Sequence, residues 1–263
     1  MKVLTKRLCL AALGIGAVLL VAGCGGVRKS TVPLATVLET QRCTRQADTL
    51  LVMLPGAYST PDEFEREGFV EAVRENRLAV DTMLVDAHLG YYNDRTVLER
   101  LSADVIAPAR RQGYRQIWIV GISLGGFGGL LYAQTHPGEL AGVVAIAPYL
   151  GERTLSTDIA NAGGLAKWNG PLDSGAATPR TPNETQLWQW LRGYAGYTQT
   201  AGARPPLYLG YGLDDRFAFS HRLLAGALPA ERVFTTEGGH DWPEWRRLWQ
   251  RLLPTLSLPG CPG

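Results

Sequence analysis

Residues 121–125 read Gly121-Ile122-Ser123-Leu124-Gly125, a serine with a glycine two positions away on either side. That spacing suits a nucleophile at the tip of a sharp turn. A residue held there takes a strained backbone conformation, and its second neighbours come so close that a Cβ would clash. A serine hydroxyl alone is a weak nucleophile. It needs a base within hydrogen-bond reach, and the base needs an acid to orient it. The chain holds four histidines. His240, in Gly238-Gly239-His240-Asp241-Trp242, is the expected base, because a Gly-Gly loop can deliver an imidazole over the end of a sheet. His88 is its rival. His136, just before Pro137, reads as structural, and His221, on a helical pattern, as a surface or packing residue. The acid is sought in Gly212-Leu213-Asp214-Asp215-Arg216. Either carboxylate there could orient the imidazole. The G-x-x-D spacing favours Asp215, while Asp214 also suits a turn or a helix cap. Asp241 and Asp86 are further candidates.

These side chains need elements to hold them. Apolar β-type runs occur at Thr49–Leu54, Asp81–Val85, Ile117–Val120, Val143–Ala147, Leu207–Tyr211 and Arg232–Thr235. Each is apolar nearly throughout, as for strands buried on both faces. Helical patterns lie between them, over Pro61–Arg77, Thr96–Gln112, Gly125–Thr135, Arg216–Leu228 and Trp242–Leu253. The alternation predicts an α/β fold: a doubly wound, mainly parallel sheet of about six strands with helices on both faces. Ser123 then sits between a strand and a helix, the Asp pair follows the penultimate strand, and His240 follows the last. The glycine-rich run Gly125–Gly129 belongs to the helix after the serine, where small side chains permit close contact with the sheet.

One segment breaks the rhythm. Residues 151–206 are too many for a simple crossover and read as a lid insertion with one short helix, Glu184–Tyr194. Its aromatics, Trp168, Trp188, Trp190, Tyr194 and Tyr197, argue against disorder. They suit acyl chains or sugar faces as well as they suit core packing.

The chain order Ser123, Asp215, His240 is that of the α/β-hydrolase fold, and the stretch from about Thr49 to Leu253 resembles the bacterial serine esterases of that family. The run His240-Asp241-Trp242-Pro243-Glu244-Trp245 is similar to the end of the esterase D-like group. The resemblance implies carboxylic ester hydrolysis through an acyl-enzyme, with Ser123 as nucleophile, His240 as base and Asp215 as the orienting acid. It implies an oxyanion hole built from the N–H groups of Leu124 and of Ala57, the latter in Leu54-Pro55-Gly56-Ala57-Tyr58, where many relatives carry His-Gly in place of Pro55-Gly56. Tyr58 would add a hydroxyl or wall the pocket. The core reads as pared down, without the first antiparallel strands that some members have. The expected partner is a small-molecule or lipid-like ester. An acyltransferase on the same residues and a non-catalytic envelope binding module of the same fold are the alternatives. No metal-ligand spacing, phosphate loop or dinucleotide fingerprint is present, so no cofactor or metal is expected.

At the N-terminus, Lys2, Lys6 and Arg7 precede an apolar run from Leu8 to Val21, then Ala22-Gly23-Cys24. That is the pattern of a secretory signal, and it is short for a membrane span. Val21-Ala22-Gly23-Cys24 resembles the lipobox of bacterial lipoproteins. The resemblance implies removal of residues 1–23, acylation of Cys24, and a lipid anchor in the cell envelope. Gly25, rather than Asp, after the anchor implies the periplasmic face of the outer membrane in a diderm bacterium. Residues 24–40 are then expected as a tether and 41–263 as the hydrolase domain. From Cys24 onward the chain has 23 basic and 24 acidic residues, so it has no basic excess and nucleic acid is not an expected partner. With Cys9 removed and Cys24 acylated, Cys43 and Cys261 remain, and in an oxidising compartment they are expected to pair.

Overall fold

Mostly apolar runs make the parallel strands, and one sheet gathers them. The computed structural model describes residues 28–43, 46–170, 182–196 and 204–262; the expected signal peptide and Cys24 lie outside the described residues. The strands are β1 (Thr36–Glu39), β2 (Thr49–Leu54), β3 (Val80–Val85), β4 (Gln116–Ile122), β5 (Gly142–Ile146), β6 (Leu207–Gly212) and β7 (Val233–Thr236). Their spatial order is β1-β3-β2-β4-β5-β6-β7. β2 to β7 run parallel, and β1 pairs antiparallel with β3, Thr36 opposite Val85.

β1 corrects the sequence reading. The sheet has seven strands where about six were expected, and part of the expected tether is an antiparallel edge strand. Its side chains carry no burial signal: Val37 is 51% exposed and Leu38 40%. Backbone pairing holds it instead, aided by an ion pair from Arg74 to Glu39 at 2.8 Å and by Gln41 N–H donating to the Asp81 carboxylate at 2.8 Å.

The helices are α1 (Glu63–Arg66), α2 (Phe69–Glu75), α3 (Leu89–Asn93), α4 (Val97–Arg100), α5 (Ala107–Arg111), α6 (Leu124–Thr135), α7 (Arg153–Asn161), α8 (Pro182–Arg192), α9 (Ala218–Ala225) and α10 (Trp242–Leu252). The helix expected over Pro61–Arg77 is split, because Gly68 takes φ +77° between α1 and α2. A π-helical stretch, Leu101–Ile106, joins α4 to α5 just before Pro108, which has no N–H to donate. Period-two alternation along the strands divides the core. Leu50, Val52 and Leu54 face α4 to α9; Leu51 and Met53 face α1, α2 and α10.

The insertion holds two helices, α7 and α8, where one was expected. Residues 171–181 and 197–203, and with them Tyr197, lie outside the described residues. Trp168 and Trp188 are 1% and 0% exposed, and the Trp188 indole donates to Leu150 O at 2.8 Å. Core packing, the blander of the two readings, accounts for these rings. On α9, His221 is fully buried and its Nε2–H donates to Pro148 O at 2.8 Å. That bond ties α9 to the loop after β5. Burial pushes the His221 pKa down to about 4.

Cys43 and Cys261 form a disulfide, Cα–Cα 5.5 Å, across 218 positions. Replacing both with Ser should lower unfolding stability by about 2–5 kcal/mol, read from urea midpoints at constant slope. His221 generates a second expectation. Its folded pKa lies below the ordinary 6.5, so below pH 6.5 the unfolded chain takes up a proton that the native chain refuses. Stability should fall as pH drops from 6.5 towards 4, by up to about 1.4 kcal/mol per pH unit. His221→Gln should flatten that part of a pH series of urea melts.

Candidate active site

In a parallel sheet the C-terminal strand ends share one edge, and the loops leaving them converge there. The loops after β2, β4, β6 and β7 bring together the residues singled out above. Ser123 lies between β4 and α6 with φ +52° and ψ −113°, a strained conformation for a residue with a Cβ. Its surroundings enforce it. Ser123 N–H donates to Ile146 O at 2.9 Å, and Ser123 O accepts from Phe127 N–H at 3.1 Å and Tyr149 N–H at 2.9 Å. A Cβ on Gly121 would come within 2.6 Å of Gly126 N, and one on Gly125 within 2.6 Å of Pro55 O. Both glycines are therefore sterically required, as their spacing predicts.

His240 reaches this turn from the loop between β7 and α10. Its Nε2 is 2.9 Å from Ser123 Oγ and its Nδ1 is 2.7 Å from Asp215 Oδ2. A carboxylate only accepts, so Nδ1 carries the hydrogen and Nε2 is free to accept from the serine hydroxyl. Phe217 and Trp245 stand edge-on to the imidazole, each with ring centroids 5.1 Å away. The Asp215 side chain is 0% exposed. Its second oxygen accepts from Phe217 N–H at 2.7 Å. Burial pushes the Asp215 carboxyl up, but the hydrogen bonds from His240 and Phe217 and the nearby imidazole outweigh it and hold it below the ordinary aspartate value.

The other candidates are elsewhere. Asp214 and Asp241 are exposed, and Asp241 begins α10. Asp86 is paired with Arg28 at 2.8 Å. His88 is buried and caps α3, its Nδ1 accepting from Gly90 N–H at 3.1 Å. Burial first, and then the Arg28 guanidinium, hold its pKa down. His136 stacks on Tyr132 with centroids 4.1 Å apart. His221 is a core residue rather than a surface one.

A cleft of about 470 Å³ opens beside Ser123. Ala57 and Leu124 line it, Leu124 as the first residue of α6, and a Cβ on the adjacent Gly56 would lie 3.6 Å from Ser123 Cβ. Tyr58 is 91% exposed at the mouth, so it borders the cleft rather than reaching into it. Phe127, Tyr149 and Phe217 form an aromatic wall, packed edge to face at 5.5 and 5.8 Å. The insertion contributes Glu184, a residue that sequence reasoning missed. Its carboxylate is buried and accepts from the Tyr149 hydroxyl at 3.0 Å and from Glu152 N–H at 3.3 Å. Burial, and next the Glu184 charge, raise the Tyr149 pKa. An acid in a first helical turn is common enough that nothing in the sequence marked it. Among the described residues no group of three or more His, Cys, Asp or Glu is positioned to hold a metal ion.

A serine on a strained turn, an imidazole bonded to its hydroxyl and a buried carboxylate behind the imidazole can activate an alcohol for attack on an electrophile. Comparison with known proteins agrees with this fold. No curated protein matches the sequence. Among solved structures, the chain is similar to fluorophosphonate-binding serine hydrolase F of Staphylococcus aureus, with TM-score 0.51 and 16% identity over 84% of this chain and 91% of that one. It is similar to a monoacylglycerol lipase of Paleococcus ferrophilus, with TM-score 0.51 and 18% identity over 84% and 96% of the two chains. It is similar to Est1E of Butyrivibrio proteoclasticus, with TM-score 0.52 and 18% identity over 88% and 94%. The model of the alpha/beta hydrolase family matches residues 51–262, most of the chain, and the protein belongs to that family.

Proposed function

We propose that the protein is a lipid-anchored serine hydrolase of the cell envelope that cleaves carboxylic esters through an acyl-enzyme. The observation that carries this reading is the 2.9 Å contact between His240 Nε2 and Ser123 Oγ, with Asp215 on the far side of the ring. In the first half-reaction His240 takes the hydroxyl proton as Ser123 Oγ bonds to the ester carbonyl carbon. The carbonyl oxygen becomes an oxyanion, and the N–H groups of Leu124 and Ala57 receive it. The C–O bond to the alcohol breaks, and His240 returns the proton to the departing oxygen. Water then attacks the acyl-serine with the same proton traffic, which frees the acid and restores Ser123. Asp215 stays ionised and stabilises the imidazolium that forms at each half-reaction.

The same reading includes acylation of Cys24 after removal of residues 1–23, which puts the hydrolase at the membrane surface, on the periplasmic face of the outer membrane in a diderm bacterium. The apolar and aromatic cleft wall favours the acyl part of an ester over a peptide.

A fluorophosphonate probe should label the wild-type protein and leave Ser123→Ala unlabelled. With a soluble ester, Ser123→Ala should lose roughly 10⁴–10⁶ in kcat. Labelling of the Ala variant would overturn the nucleophile assignment. Asp215→Asn should lower kcat by roughly 10⁴ by stabilising the wrong imidazole tautomer. Asp214→Asn, an exposed change, should leave kcat within a few-fold of wild type. A large loss in Asp214→Asn with Asp215→Asn near wild type, in a steady-state assay, would reverse the choice of acid.

A further inference from the structure

β1 runs against its neighbours, and that decides where the chain before it goes. Thr36 pairs with Val85, the last residue of β3. The segment ahead of β1 therefore meets the domain at the edge that carries Ser123, Asp215 and His240. It is fixed there. Leu34 N–H donates to the Asp104 carboxylate at 2.8 Å. The Tyr91 hydroxyl accepts from Thr31 N–H at 3.2 Å and donates to Thr31 O at 3.1 Å. Ser30 bonds Asp94, and Arg28 forks onto Asp86 at 2.8 and 2.9 Å. Three of these four residue pairs are to α3 or the turns flanking it, and that same segment supplies Leu89, Tyr92 and Arg95 to the cleft wall.

We infer that the cleft opens onto the membrane that holds the protein's own anchor, and that its substrate is an amphiphilic acyl ester resident in that bilayer. The inference rests on the anchored-esterase reading above. Cys24 lies only four positions before Arg28, so whatever path the chain takes the two Cα atoms are at most about 14 Å apart. An acylated Cys24 thus keeps the Arg28 backbone within about 14 Å of the anchored residue, and the Arg28 guanidinium is forked onto Asp86 just ahead of α3. A loose tether of 17 residues, as residues 24–40 were expected to be, would have left the orientation free.

The surface on that side fits a lipid headgroup layer. Tyr58 is 91% exposed and Val32 75%. Lys29 and Arg95 are exposed and make no ion pair among the described residues; of the acids beside them, Asp86 is ion-paired with Arg28, and Asp94 keeps its charge while accepting from the Ser30 hydroxyl. Of the acids near Tyr58 in the chain, Asp62 and Glu63 are paired with Arg66, and Glu65 is exposed. The exposed acids Asp214, Glu237 and Asp241 follow β6 and β7, at the opposite end of the strand order. An aromatic ring with free cations is the composition that settles at an anionic membrane interface.

The test uses the acylated protein reconstituted in vesicles of phosphatidylethanolamine and phosphatidylglycerol. A 20-residue Gly/Ser insertion between Gly26 and Val27 lengthens the leash without touching the domain. Turnover of a fluorogenic long-chain acyl ester dissolved in the bilayer should fall roughly 10-fold or more, because the effective concentration of cleft at the surface drops. Turnover of soluble p-nitrophenyl butyrate should not change. In the uninserted protein, a dye on Asn93→Cys, on α3, should be quenched by nickel-chelating headgroups. A dye on Ser257→Cys, beside the N-terminal ends of β2 and β4, should not. Unchanged turnover of both esters after the insertion, or equal quenching of both dyes, overturns the proposal. So does a mass showing Cys24 unmodified. Failure to hydrolyse even the soluble ester would sink the esterase reading instead, and the two dyes would still decide the orientation.

Discussion

A hydroxyl can be kept against an imidazole only by a frame stiffer than either side chain. Here the frame is the turn at Ser123, and its stiffness comes from close approach. Gly121 and Gly125 are packed so tightly against backbone that neither tolerates a Cβ. Three backbone hydrogen bonds hold Ser123 itself, from β5, from α6 and from the loop at Tyr149. A positive φ at a serine costs of order 1–3 kcal/mol and persists only where its surroundings over-determine it. The parallel sheet supplies that surplus, since β4 has β2 on one side and β5 on the other.

The same edge organises the charge relationships. Asp215 is buried, which alone would favour its neutral form, yet two hydrogen-bond donors reverse the balance. His221 is buried in the same quarter with a carbonyl acceptor and no carboxylate bonded to it, and it is pushed the other way, towards the neutral form. Two buried titratable groups on adjacent elements therefore meet different fates. What separates them is the partner: the Asp215 carboxylate meets two donors that favour its charged form, and the His221 ring meets a backbone carbonyl too weak to offset its burial.

Much of this could be read from residue order. Ser123, Asp215 and His240 each follow a strand, and a parallel sheet delivers such positions to one edge whatever the details of its helices. The central strands, β2 to β6, were marked because they are buried on both faces, which leaves a nearly continuous apolar run. β1 escaped because it is short, exposed and held by backbone bonds, and backbone bonds leave no mark on side-chain pattern. The choice between Asp214 and Asp215 stayed open for a similar reason. Both suit a turn, and only coordinates show that one is buried against the imidazole while its neighbour faces water.

The insertion shows the limit of composition as a guide to a binding site. Its tryptophans suit a substrate-facing role and core packing equally well on composition alone. A large ring gains most free energy by leaving water altogether, at about 25 cal/mol per Å² of apolar surface buried, and the nearest place to do so is the existing core. Trp168 and Trp188 went there. Glu184 lies on the same helix as Trp188, and a carboxylate loses free energy when buried unless donors meet it. It found them in the Tyr149 hydroxyl, at the cleft, and in the Glu152 amide. Tyr149 in turn donates its own amide hydrogen to Ser123 O. The polar residue that the core could not absorb is thus the one that links the insertion to the nucleophile, through a single tyrosine.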